Sequence, residues 1–173
     1  MENFKSKLNT VKAFIFDVDG VLTDGSVTLM SSGEHLQVLS IKDCYALQLA
    51  IKKGYKIAII SGGKSEVVRA KLNALGITDV YLKSHTKIDT YKEFIEVYNL
   101  DPEHILYMGD DIPDYEVMKR VGVATCPNDA ASEIKAISIY VSPQKGGKGA
   151  VRDVIEQVLK VNEQWMDADG LTW

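Results

Sequence analysis

Six runs of apolar residues, at 11–18, 55–61, 79–82, 105–109, 121–125 and 137–142, are each bounded by glycine or polar turn residues. Short continuous runs of this kind, rich in β-branched and aromatic side chains, predict strands buried on both faces of a parallel sheet. Between them, apolar positions recur at helical spacing over 44–53, 65–75, 87–98, 113–120 and 128–135, and a last helix is expected from 149 to about 162. Strands that alternate with helices predict an α/β fold, a doubly wound, Rossmann-like parallel sheet. One segment breaks the rhythm. Val27-Thr-Leu-Met and His35-Leu-Gln-Val-Leu flank the turn Ser31-Ser-Gly-Glu, which predicts a small β-hairpin within 25–41.

Length supports one domain over 1–173, with a short tail at 163–173, because 173 residues is near the usual size of a single core. A net charge of -4 leaves no basic footprint for nucleic acid. No apolar run approaches the roughly 18 residues of a membrane span, and the N-terminal Met1-Glu-Asn-Phe-Lys lacks a signal peptide's apolar region, so a cytoplasmic protein is expected. Cys44 and Cys126 fit no metal or redox spacing and are expected as buried free thiols.

The chemistry collects where the strands end. The first run delivers Asp17 and Asp19 into a turn at Gly20, and ligands of open α/β sheets bind at the carboxyl ends of strands. The second ends in Ser61-Gly62-Gly63, a hydroxyl with exposed backbone N–H groups suited to a phosphate oxygen. Lys87 opens the helix after the third, and the fourth ends in Gly109-Asp110-Asp111-Ile-Pro-Asp114. Bare carboxylates would repel phosphate by about 4 kcal/mol per unit-charge pair at 4 Å and an effective dielectric near 20. Clustered carboxylates with no soft ligand suit Mg²⁺, and with Lys87 the cation reverses the sign of the site. An Asp can then act as nucleophile toward phosphorus, with a second carboxyl as general acid and base.

Asp17-Val-Asp19-Gly-Val-Leu-Thr23, Ser61-Gly62, Lys87 and Gly109-Asp110-Asp111-x-x-Asp114 resemble the four ordered motifs of the haloacid dehalogenase superfamily of phosphatases. That resemblance implies that Asp17 is the nucleophile, Asp19 the general acid/base, Ser61 a phosphate donor and Lys87 the positioning cation. It implies Mg²⁺ held by Asp17, the carbonyl of Asp19, and Asp110, with Asp111 and Asp114 orienting Lys87 or a metal-bound water. Members usually carry a cap domain after the first or second motif, and neither gap here has room for one. The capless pattern, with Thr23-Asp24-Gly25, Gly33-Glu34, Lys42-Asp43 and Lys145-Gly-Gly-Lys-Gly-Ala-Val-Arg152, resembles the family of 3-deoxy-D-manno-octulosonate 8-phosphate phosphatases of lipopolysaccharide synthesis. In that family a homotetramer forms and a neighbouring subunit covers each site.

The departures from the pattern fall on substrate recognition. The loop after the hairpin usually ends Asp-Gly, whereas Asp43 is followed by Cys44; the second motif usually continues with Arg, whereas Gly63 follows Gly62. Lys42, Asp43, Gly62, Lys64, Arg69 and Lys71 are the candidate substrate contacts, the last three as replacements for the missing guanidinium. Sialic acid or deaminated sialic acid 9-phosphates stay open as substrates. A non-enzymatic phospho-acceptor receiver shares the Asp, hydroxyl and Lys set, but its phosphorylated Asp ends the third strand, where this chain has Tyr81-Leu-Lys83. The tail Asp167-Ala-Asp169-Gly-Leu-Thr172 copies the first motif's wording without a preceding strand and is expected to be exposed, with Trp165 and Trp173 packing on a subunit interface.

Overall fold

The computed structural model describes residues 4–172. Along these residues run β1 (Ala13–Phe16), β2 (Thr28–Leu29), β3 (His35–Leu36), β4 (Lys56–Ile60), β5 (Asp79–Tyr81), β6 (Ile105–Met108), β7 (Val123–Cys126) and β8 (Tyr140–Val141). The helices are α1 (Phe4–Lys7), α2 (Ile41–Lys52), α3 (Glu66–Ala74), α4 (Lys87–Val97), α5 (Tyr115–Met118), α6 (Ser132–Ile137) and α7 (Ala150–Val161). Six strands form one parallel sheet in the order β5-β4-β1-β6-β7-β8. The first strand is therefore central, with Phe16 opposite both Ile59 and Met108. Crossovers on either side of it leave a cleft at the strands' carboxyl ends, which is why three of the motifs meet there.

Strand periodicity divides the core in two. Phe14 and Phe16 point to a cluster with Leu47 of α2, Leu72 of α3 and the stripe Val151, Val154, Ile155, Val158 and Leu159 of α7. Ala13 and Ile15 point the other way, to Tyr91 and Phe94 of α4, Val117 and Met118 of α5 and Ile134 of α6. Both faces of β1 are thus dry, as its unbroken apolar run requires. Cys44 and Cys126 are buried free thiols.

Several boundaries move for local reasons. The helix expected from 44 starts at Ile41, because the Ser40 hydroxyl accepts from the Asp43 amide and caps it. The segment 128–135 begins as a turn, with the Ala131 amide donating to the Asp110 carbonyl, so α6 starts only at Ser132. The hairpin forms, although each arm pairs over two residues only.

The tail is largely exposed, as expected, but Trp165 corrects the sequence reading. Trp165 is buried against this same chain, edge-on to Tyr45, with the Arg152 guanidinium 5.1 Å from its ring centroid. The Tyr45 hydroxyl donates to the Gly170 carbonyl, and Lys53 pairs with Asp167 and, at 2.7 Å, with Asp169. The segment is docked because it brings its own aromatic anchor. Trp173 lies outside the described residues. Among the described residues no helix is long and apolar enough to cross a membrane.

Candidate active site

Asp17 follows directly on β1 and is only 7% exposed. Its Oδ1 accepts from the Val18 amide at 2.6 Å, and its Oδ2 lies 2.8 Å from Nζ of Lys87, the first residue of α4. The same ammonium donates to Oδ1 of Asp114 at 2.7 Å, and the Tyr107 hydroxyl, from β6, donates to that oxygen at 2.5 Å. The other Asp114 oxygen accepts from the Asp110 and Asp111 amides at 3.1 and 3.4 Å. Asp114 is thereby fully buried and fully occupied, and it fixes where the Lys87 charge sits. Asp111 is exposed and accepts from the Ile112 amide, capping the turn that leads into α5.

One ammonium does not neutralise this group of carboxylates. Burial, then the charge of Asp114, pushes the Asp17 carboxyl up to about 7 against the pull of Lys87. Burial, then Asp17 and Asp114, likewise pushes Asp110 up to about 7. At Lys87, burial opposes the charge but the two carboxylates outweigh it, so its pKa rises. Burial beside Asp114 sends the Tyr107 phenol well above its ordinary value and keeps it a neutral donor. Oxygens of Asp17, Asp110 and Asp114 lie within 4.8 Å of one another. An all-oxygen set with excess negative charge fits a hard divalent cation such as Mg²⁺, and because Asp114 is saturated, Asp17 and Asp110 are the side chains free to bind it. Gly20, at φ +83°, makes room: a Cβ there would sit 2.0 Å from an Asp110 oxygen.

Asp19 is half-buried, and its Oδ1 accepts a hydrogen bond from the Gln37 side-chain amide, which reaches over from the arm after β3. The Ser61 hydroxyl is buried and accepts from the Gly63 amide at 2.9 Å. Gly63 is a close approach of backbone to the site, since a Cβ on it would lie 3.1 Å from Ser61 Oγ and 3.3 Å from Asp19 Oδ2. The structure therefore gathers Asp17, Asp19, Ser61, Gly62, Lys87, Asp110 and Asp114 at one edge of the sheet.

Of the other candidate substrate contacts, Asp43, Arg69 and Lys42 are engaged elsewhere. Asp43 is buried and accepts from the Gly149 and Arg152 amides at 3.2 and 2.7 Å, so it caps α7 instead of facing a ligand. Arg69 is tied to Glu66 and to the Val80 carbonyl at the sheet edge. Lys42 lines a cavity of about 420 Å³ with Tyr45, Arg152, Trp165 and the tail. Lys64 and Lys71 are exposed. Two residues that the sequence reading missed belong to the site, Tyr107 and Gln37. Tyr107 was detectable as the single hydroxyl in an otherwise apolar strand, whereas Gln37 carried no signal, being one polar residue of an alternating hairpin arm.

A 3-deoxy-D-manno-octulosonate 8-phosphate phosphatase of Yersinia pestis is 33% identical over 162 residues, which cover 94% of this chain and 87% of that protein. The chain belongs to the 3-deoxy-D-manno-octulosonate 8-phosphate phosphatase family. The broader family of haloacid dehalogenase-like hydrolases matches residues 43–122. The crystal structure of the Yersinia pestis phosphatase superposes with a TM-score of 0.91 at 32% identity, covering 93% of this chain and 87% of that one. The Moraxella catarrhalis phosphatase, solved in complex with magnesium, phosphate and a KDO molecule, gives a TM-score of 0.88 at 30% identity over 91% of this chain and 90% of that one. Among the described residues the sheet carries no cap domain.

Proposed function

We propose that this protein is a Mg²⁺-dependent phosphomonoester hydrolase acting on 3-deoxy-D-manno-octulosonate 8-phosphate. The observation that carries the chemistry is the buried Asp17–Lys87–Asp114 relay with Asp19 and Asp110 beside it. The family membership and the ligands named for the Moraxella catarrhalis relative support the sugar. Asp17 and Asp110, with the backbone carbonyl of Asp19, would hold the metal, which supplies positive charge to the phosphate oxygens when bound.

Around that charge, each residue has a separate task. Lys87 and the Ser61 hydroxyl, with backbone N–H groups of the Gly62 turn, hold the phosphate oxygens and orient phosphorus toward Asp17. An Asp17 oxygen attacks phosphorus, the bond from phosphorus to the sugar oxygen breaks, and Asp19 gives that oxygen its proton, leaving an aspartyl-phosphate and a free sugar alcohol. Asp19 then takes a proton from water as the water oxygen attacks phosphorus, which releases phosphate and restores Asp17. Phosphate-monoester hydrolysis is among the slowest uncatalysed reactions, so the site lowers the barrier by about 20 kcal/mol. A second copy of the chain is the partner that closes the open site, as a homotetramer.

Phosphate release with Mg²⁺ is expected from the eight-carbon 8-phosphate and not from an Asp17→Asn variant. A kcat/KM preference of about tenfold or more over sialic acid 9-phosphate, near 1.4 kcal/mol, supports the eight-carbon reading. The reverse preference would transfer the chain to the nine-carbon acids.

A further inference from the structure

We infer that Gln37 is a positioning residue for the general acid, holding one Asp19 oxygen so that the other meets the leaving group; this rests on the proposed phosphatase chemistry. The two oxygens of Asp19 have different surroundings. Oδ1 accepts from the Gln37 amide N–H, whereas Oδ2 faces the Ser61–Gly63 turn, where a Cβ on Gly63 would lie 3.3 Å from it and 3.1 Å from the Ser61 hydroxyl. Among the described residues no other hydrogen bond to Asp19 is made.

That division has a chemical consequence. An amide N–H can only donate, so it holds Oδ1 as an acceptor and leaves Oδ2 as the oxygen turned toward the site. Without Gln37 the half-buried carboxyl is free to turn about its terminal torsion, which is broad and roughly two-fold, and its proton is not presented in one direction. General acid catalysis needs that proton within hydrogen-bond reach of the leaving oxygen, and small misplacements of a catalytic group are costly. Gln37 sits on the hairpin arm between β3 and α2 and not on the sheet core, so the acid is aligned by a different element from the one that carries it.

Leaving-group dependence tests this. Asp19's proton is needed by a sugar alkoxide and not by p-nitrophenolate, and kcat/KM reports only steps up to the first irreversible one. Gln37→Met keeps the length and loses the donor; it should lower kcat/KM for the sugar phosphate by about tenfold while changing that for p-nitrophenyl phosphate by less than about twofold. Gln37→Asn, which keeps a neutral amide donor on a shorter stem, should recover at least part of the loss. Equal losses on both substrates, or none on either, would overturn the inference. Should the wild type not turn over the eight-carbon 8-phosphate, the substrate reading fails by itself, and the same comparison runs with any alkyl phosphate that it does hydrolyse. Should Asp17→Asn hydrolyse both substrates as wild type does, the reading of the site fails with it.

Discussion

Asp17 and Asp110 are each held near 7 in the folded protein against 3.8 for a free Asp, and this fixes how the protein should respond to acid and to metal. A carboxyl raised on folding binds more protons folded than unfolded, so its contribution is intact below the unfolded value and is lost as pH climbs through the folded one. Without divalent metal, stability should therefore fall between about pH 4 and about pH 7 at these two groups. Mg²⁺ replaces the protons, so it should raise the melting temperature more at about pH 8 than at about pH 5, where protons compete for the same oxygens. Thermal melts with and without Mg²⁺ at both values check this, and an equal gain at the two would refute it. Asp17, Asp19, Ser61, Lys87 and Asp110 were legible in the sequence because each lies within three residues after a strand or opens a helix, at a position that topology brings to one edge. Gln37 acts across the fold on a partner 18 residues back in the chain, whereas Tyr107 reaches Asp114 only seven residues on but from within an apolar strand, where burial alone accounts for it. Asp43 and Arg69 misled for a physical reason, since a carboxylate and a guanidinium that cap a helix and bind a strand-edge carbonyl look in sequence like those that bind a ligand.

At the scale of elements, hydrophobic period decided most of what could be read. The strands and the stripe of α7 are determined by burial, and both are visible as spacing. The hairpin and the tail are determined by contacts too sparse to leave a period, and Trp165, expected at a subunit interface, is used within the chain. Its hold on α2 and α7 comes chiefly from one side chain. Trp165 fills a space between Tyr45 and Arg152, whereas the carboxylates of Asp167 and Asp169 that meet Lys53 are substantially open to water and screened. Trp165→Ala should therefore cost about 3 kcal/mol, lowering the melting temperature by roughly 6 to 12 °C. Asp43→Ala strips the α7 amides of their acceptor and should cost about 1 to 2 kcal/mol. Calorimetry that ranked Lys53→Ala above Trp165→Ala would show that polar contacts, and not the indole, fasten the tail, and no loss with Asp43→Ala would refute its role as the α7 cap.

For the molecule as a whole, the open feature is the hairpin. Two strands of two residues each are too few to be stable alone in water, yet this hairpin carries the amide that reaches Asp19. It exposes large apolar side chains: Leu29 and Val38 are each 73% exposed, Leu36 more than half, and Ile41 at the start of α2 likewise. An apolar hairpin beside an uncapped catalytic cleft is stabilised, and the cleft closed to water, if another copy of the chain packs on it. Light scattering at assay concentration should then give a multiple of the chain mass, four for a homotetramer. Leu29→Lys with Val38→Lys places two charges on that face and should shift the protein toward monomer, because a buried unpaired charge costs more than the apolar contact it replaces. The monomer should lose activity on the sugar phosphate more than on p-nitrophenyl phosphate, since a loosened hairpin releases Gln37 while Asp17, Lys87 and Asp114 stay in the core. A wild type that scatters as one chain, or a double variant that keeps its mass and its preference, would mean that the hairpin stands over the site without a neighbour's support.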